Sequence, residues 1–183
     1  ISRLGGIGIV GSFLISLGIL WILPLDEPRP DPQMLSNTKL LGFCSGGLFA
    51  WCLGLADDLY QLKVRWKLLG QIGIAVIALY CGFVLEKVQI PFFQNVNLGF
   101  WSWPLTVLWV VGVMNAINLI DGLDGLAAGI IFTALSCLGI VSWWNGQLSL
   151  LLLILILEGS VLGFWLYNKP PASIFMGDSG SYL

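Results

Sequence analysis

The 183-residue chain is 57% hydrophobic and only 10% charged, too little charge to coat a soluble domain of this length, so the chain belongs in a bilayer. Eight basic against ten acidic residues, for a formal net charge of −2, offer no basic face for a nucleic-acid backbone and argue against nucleic acid as a partner. Histidine is absent, which removes the commonest general base and transition-metal ligand and leaves chemistry to carboxylates and amides.

A helix rising 1.5 Å per residue needs about 20 mostly apolar residues to cross a hydrocarbon core. Six runs meet or approach this length: 5–25, 39–56, 67–85, 101–120, 125–144 and 148–167. In hydrocarbon only a helix satisfies its own backbone, so the expected fold is an all-α integral membrane protein, a polytopic bundle of about six transmembrane helices. Trp21, Trp66, Trp101, Trp103, Trp143, Trp144 and Trp165 fall near the ends of these runs, where amphipathic rings favour the headgroup layer. Gly42 and Gly46 in the second run, and Gly125 and Gly129 in the fifth, have G-x-x-x-G spacing, a signal for close helix packing. Cys44, Cys52, Cys81 and Cys137 lie in apolar runs without C-x-x-C spacing and read as packing residues. The chain starts at Ile1 without Met and stops three residues after Gly-Asp-Ser-Gly, so it reads as one domain over 1–183, cut at both ends.

Alternating the spans puts Arg3, 57–67, 121–124 and 168–183 on one side, and 26–38, 86–100 and 145–147 on the other. The first side carries Arg3, Lys63, Arg65, Lys67 and Lys169, the second Arg29, Lys39 and Lys87; the positive-inside rule makes the first side cytoplasmic. Asp57, Asp58, Asp121, Asp124 and Asp178 all emerge on that side. Like charges that converge at one face need a cation among them.

Three clusters carry these acids. In LADDLYQLKVRWK, Asp57 and Asp58 point about 100° apart on a helix; one can face a metal while the other faces a substrate or a lysine, or the pair simply ends a span at the water line. In NAINLIDGLDGLAAG, Asn115, Asn118, Asp121 and Asp124 recur every three residues and share a face. Gly122 and Gly125 are placed to break the helix and set Asp121 and Asp124 on a re-entrant turn. Carboxylates beside amide oxygens suit Mg²⁺ rather than zinc, the plain alternative being a polar loop with capping aspartates. In NKPPASIFMGDSGSYL, two prolines stop the sixth span, and Gly177, Ser179 and Gly180 around Asp178 offer N–H groups suited to phosphate; a surface turn is the plain alternative. Glu158, mid-way along the sixth span, is costly unless paired, and is expected to line a cavity or to pack against polar groups on helices outside this chain.

From RLGG at residues 3–6, through NAINLIDGLDGLAAG, to MGDSGS at 176–181, the chain resembles the polyprenyl-phosphate N-acetylhexosamine-1-phosphate transferases of glycosyltransferase family 4. The resemblance implies transfer of a sugar 1-phosphate from a UDP-N-acetylhexosamine to a polyprenyl phosphate, with release of UMP. It implies catalytic roles for Asp57, Asp58, Asp121 and Asp124, and substrate-binding roles for Asn115, Asn118, Lys67, Gly177 and Ser179. Asp178, Asn118 and Asp57 would hold Mg²⁺, or Mn²⁺ in its place. The implied setting is the plasma membrane, with the site on the cytoplasmic side and a homodimer left open. Gln61 stands where the family often has a further Asp or Asn, which puts a direct catalytic role there in doubt. The family's histidine-containing loop, and further spans at both ends, would lie outside this chain. RLGG and INLIDG are more like the GlcNAc-1-phosphate branch than the phospho-MurNAc-pentapeptide branch. A transporter is the rival reading, but its acids would sit at mid-depth, where only Glu158 lies.

Overall fold

The computed structural model describes residues 4–22, 37–88 and 96–183. Arg3, Arg29, the end of the first apolar run and most of the 26–38 connection lie outside the described residues. Six long helices stand on the six apolar runs: α1 (Gly5–Ile22), α2 (Asn37–Tyr60), α3 (Val64–Tyr80), α4 (Ser102–Ile120), α5 (Leu126–Trp144) and α6 (Leu148–Asn168). A one-turn helix α7 (Asp178–Ser181) follows. Short strands β1 (Lys87–Val88) and β2 (Val96–Asn97) pair antiparallel between α3 and α4, with Lys87 opposite Asn97.

Length and composition narrow the expectation of about six spans. Among the described residues, Gly99–Ile120, Leu126–Trp144 and Leu148–Asn168 are long and apolar enough to cross a membrane, and the apolar stretch Gly5–Leu20 is shorter. The α2 helix begins at Asn-Thr-Lys and ends at Asp57 and Asp58, which dilutes its apolar stretch, while α3 has only 17 residues.

Two cores hold the helices together. Ile9, Ala128, Val161, Phe164 and Met176 join α1, α5 and α6. Ala50, Ile74, Met114 and Tyr182 join α2, α3 and α4. The segment 176–182 contributes to both, with Met176 completely buried in the first and Tyr182 4% exposed in the second. The Gly-Asp-Ser-Gly turn is thus clamped between two groups of helices, and burial of large side chains at both of its ends opposes its displacement.

The glycines that allow this close approach are not all those with G-x-x-x-G spacing. A Cβ on Gly54 would collide with the Asp178 carbonyl, and one on Gly6 with the Gly180 nitrogen. The backbone N–H groups of Gly5 and Gly6 donate to the carbonyls of Phe175 and Met176 at 3.0 and 2.8 Å. Gly42 does pack tightly, against Cys81, whereas a Cβ on Gly46 would meet nothing within 4 Å. Of the cysteines, only Cys81 has this packing role; Cys44, Cys52 and Cys137 are exposed. Trp165 is likewise a packing residue, stacked on Phe132 with ring centroids 5.9 Å apart and donating to the Gly125 carbonyl. Glu158 finds its partner inside the chain: the Ser136 hydroxyl on α5 hydrogen-bonds its Oε1, so helices outside the chain are not needed to meet it.

Candidate active site

The α2 helix ends at the two adjacent aspartates, and the chain reverses within residues 61–63. Gln61 takes a left-handed conformation (φ 50°), which is strained for a residue with a Cβ. Asp57 stabilises the reversal, its Oδ1 accepting the Leu62 N–H at 2.8 Å. The first turn of α3 then returns Lys67 over the end of α2. The Lys67 Nζ forms ion pairs with Oδ2 of Asp57 and, at 3.2 Å, with Oδ2 of Asp178.

Asp58 does something different. Its Oδ1 accepts the Asp178 N–H at 2.8 Å and its Oδ2 the Ser179 N–H at 2.9 Å, so both carboxylate oxygens hold the α7 backbone. The adjacent aspartates therefore divide their tasks: Asp57 faces the cation and Asp58 fixes the turn that carries Asp178.

The α4–α5 turn supplies the third side. Asn118 donates from Nδ2 to Asp178 Oδ1 at 2.6 Å and to Ser181 Oγ at 2.9 Å. Asp121 follows the last residue of α4, and its Oδ2 accepts the Gly177 N–H at 3.0 Å. Its Oδ1 is buried without a hydrogen-bond partner. Burial pushes the Asp121 carboxyl up to about 6, aided by the negative charges of Asp178 and Asp58 and opposed by the N–H groups of Gly177 and Met176. The turn ends at Gly125, whose left-handed φ of 72° suits glycine. It is a compact connection between two helices, and Gly122 is not in the left-handed region.

Burial also works to raise the Asp178 carboxyl, but contact with Asp57, the Asn118 amide and the Lys67 ammonium together hold it below its ordinary 3.8. On the inner side, the Tyr182 hydroxyl lies 3.4 Å from both Asp57 Oδ2 and Asp178 Oδ2. Burial and then the two negative charges raise the phenol above its ordinary 10, keeping it a neutral donor. Asp57, Asp58, Gln61, Leu62, Lys67 and Asp178 line a pocket of about 300 Å³, small among ligand sites. A larger cavity between α1 and α6 has mostly apolar and small lining residues and is away from the aspartates.

Not every expected residue joins this cluster. Asn115 instead exchanges hydrogen bonds with the buried Gln71 on α3, at 2.7 and 3.3 Å, and so ties α3 to α4. Asp124 is exposed and accepts the Ala172 N–H at 3.0 Å. The N–H groups of Gly177 and Ser179, expected to meet phosphate, are engaged by Asp121 and Asp58. Two residues went unread in the sequence. Tyr182 is signalled only by its place directly after Gly-Asp-Ser-Gly-Ser. Asn168, 1% exposed, accepts the Gly125 N–H at 3.0 Å and donates to the Ile174 carbonyl at 2.9 Å, fastening the α4–α5 turn to the segment that leads to Asp178.

The carboxylates of Asp57 and Asp178 suit a hard divalent cation in kind, whereas Asn118, expected among the ligands, turns its amide nitrogen rather than its oxygen to Asp178; the Asp121 Oδ1 is a buried acceptor without a partner. Among the described residues no three acidic side chains converge as a ready cage. Two of the three carboxylates that line the pocket, those of Asp57 and Asp178, converge on the Lys67 ammonium instead.

The family model described as Glycosyl transferase family 4 matches residues 40–183, which include every aspartate of the cluster. The chain belongs to glycosyl transferase family 4. Within this family it is similar to a protein of Bacillus subtilis named probable undecaprenyl-phosphate N-acetylglucosaminyl 1-phosphate transferase, with 43% identity over 147 residues, 80% of this chain and 41% of the relative. It is also similar to phospho-N-acetylmuramoyl-pentapeptide-transferases. The one from Levilactobacillus brevis is 33% identical over 92% of this chain and 55% of the relative. A Thermoanaerobacter counterpart is 39% identical over 78% and 47%. The chain thus spans about half the length of these curated relatives.

Proposed function

We propose that the protein containing this chain transfers N-acetylglucosamine 1-phosphate from UDP-N-acetylglucosamine to undecaprenyl phosphate, and that this chain supplies its aspartate centre. The observation that carries the reading is that Asp57, Asp58 and Asp121, from two distant segments, gather around the turn that carries Asp178, in a chain 43% identical to a relative named for that transfer. Among the described residues, three helices are long and apolar enough to span a bilayer, which suits an enzyme whose acceptor is a lipid.

In the proposed reaction an oxygen of the lipid phosphate attacks the β-phosphorus of the UDP-sugar. The bond from that phosphorus to the bridging oxygen breaks, and UMP leaves with the electron pair, giving a lipid-linked sugar diphosphate. Two anions must meet, so the barrier is largely electrostatic, and positioning matters more than base catalysis. Asp57 and Asp178 would hold Mg²⁺ or Mn²⁺, which when bound offsets the pyrophosphate charge and stabilises the departing UMP. Lys67 borders the pocket with its ammonium and adds positive charge beside the reacting phosphates. Asp58 and Asp121 hold the 177–179 backbone in register, and Tyr182 supports the Asp57–Asp178 pair from the buried side.

The deciding assay is UMP release by the full-length protein in lipid nanodiscs with undecaprenyl phosphate. UDP-N-acetylglucosamine should be turned over and UDP-MurNAc-pentapeptide should not. The reverse preference would favour the reading suggested by the 33% and 39% identical relatives, and turnover of neither would remove both. The cluster is proposed to face the cytoplasm of the plasma membrane. Lys63→Cys and Lys169→Cys should then both be labelled from that side in sealed vesicles, and labelling from opposite sides would refute the arrangement.

A further inference from the structure

Lys67 stands where a metal would be expected. Its Nζ touches one oxygen of Asp57 and one of Asp178, two of the three carboxylates that line the pocket. Asp57 is only 3% exposed, and two negative charges this close are stabilised by a positive partner. Mg²⁺ held by these two carboxylates would need the oxygens that the ammonium now engages, so the two cations would compete for them.

We propose that Lys67 is a built-in counter-cation that competes with the divalent ion for the Asp57–Asp178 pair, so that metal loading releases its ammonium into the substrate pocket. The inference deepens the proposed metal dependence and rests on it.

Four features support the exchange. Lys67 lines the pocket and its side chain is 29% exposed, so the flexible four-carbon stem has somewhere to go. The frame around the pair does not depend on the lysine: Leu62 N–H holds Asp57, Asn118 holds Asp178, and the Tyr182 hydroxyl spans the two. Charge favours the swap, since a divalent ion neutralises two carboxylates where an ammonium neutralises one. Finally, the ammonium has three donors and only two are engaged by the pair, so the released group arrives beside an anionic phosphate with its charge and donors intact. Metal and substrate sites would then be coupled through one side chain: the ion takes the aspartates, and the lysine it displaces takes up the substrate's charge.

The test measures Mn²⁺ binding by electron paramagnetic resonance to substrate-free, full-length protein in nanodiscs. Lys67→Met should bind Mn²⁺ on the order of tenfold more tightly than the unsubstituted protein, the scale of a typical coupling between sites. Lys63→Met, which removes a nearby charge without touching the pair, should shift affinity less than about twofold. A second readout needs no variant: Mg²⁺ should increase acylation of Lys67 by an amine-reactive reagent, followed by mass spectrometry. Equal or weaker Mn²⁺ binding in Lys67→Met, or Lys67 acylation unchanged or reduced by Mg²⁺, would overturn this inference while leaving the metal reading intact. No Mn²⁺ binding by any of the proteins would overturn the metal reading, and this inference with it.

Discussion

Asp58 carries Asp178 by its backbone: the Asp58 carboxylate receives the Asp178 N–H at 2.8 Å and the next N–H at 2.9 Å. An asparagine can accept one of these bonds but presents an NH₂ group to the other donor. Asp58→Asn should therefore destabilise the fold by about 1–3 kcal/mol and lower kcat, with a smaller change in metal requirement than a substitution at Asp178. Denaturant unfolding and a metal titration separate the two effects. An unfolding curve that does not move would show that the carboxylate does not hold the turn.

Asp178→Asn keeps the shape but removes the charge held by Lys67 and Asn118. With only oxygen ligands at hand, activity should require Mg²⁺ or Mn²⁺ and vanish with EDTA. This substitution should raise the Mg²⁺ concentration for half-maximal activity and lower kcat. Gln61→Ala should do much less, because Gln61 is an exposed, neutral residue with no comparable Coulomb attraction. A metal requirement unchanged in Asp178→Asn would take that residue out of the coordination sphere.

Gly54→Ala tests the closeness of α2 to the Gly-Asp-Ser-Gly turn. The new methyl would lie 2.5 Å from Ser179 Cα and collide with the Asp178 carbonyl, and backbone atoms cannot step aside as a side-chain tip can. The expected loss is about 1–3 kcal/mol of stability, together with most of the activity. Gly46→Ala, a little over two turns back on the same helix and with open space at its Cβ, should be neutral or stabilising by up to about 1 kcal/mol. Thermal melts of both variants give the comparison; equal behaviour would mean that the turn does not rest on α2.

This contrast also shows what the sequence could and could not tell. Six apolar runs became six helices because hydrophobic length is a local property, and the acids appeared at one end because span alternation follows from counting. Contacts between segments are not local. Spacing singled out Gly46, where a Cβ would meet nothing within 4 Å among the described residues, and passed over Gly54 and Gly6, whose partners lie more than a hundred residues away. The interval of three in Asn115, Asn118 and Asp121 grouped residues that the bundle then divides: Asn115 faces Gln71 and Asn118 faces Asp178. Asn168 and Tyr182 were illegible because a single amide or phenol at a helix end has no pattern; only the fold reveals that one fastens two segments and the other lies between two carboxylates. Length alone suggested about six spans, but the shorter apolar stretch of α1, polar residues at the ends of α2 and the shortness of α3 leave, among the described residues, three that satisfy length and composition together.

Asp121 gives the stability a pH dependence with a definite sign. An unfolded aspartate titrates near 3.8 and the folded Asp121 at about 6, so between these values the folded protein binds a proton that the unfolded chain has lost. Stability then falls as pH rises through that window, and the cost of ionising Asp121 is fully present above it. Asp178 acts in the opposite sense, because its folded carboxyl lies below 3.8; its contribution is complete above that value and lost as pH falls below it, outside the Asp121 window. Metal-free protein, kept in EDTA, should therefore lose thermal stability between about pH 4.5 and 6.5 through Asp121, and Asp121→Asn should remove that component of the slope. Melting midpoints across the interval for both proteins are the measurement. Parallel curves would mean that the buried Asp121 Oδ1 finds compensation in solution, and that the orphaned acceptor of the fold is not a place of stored electrostatic cost.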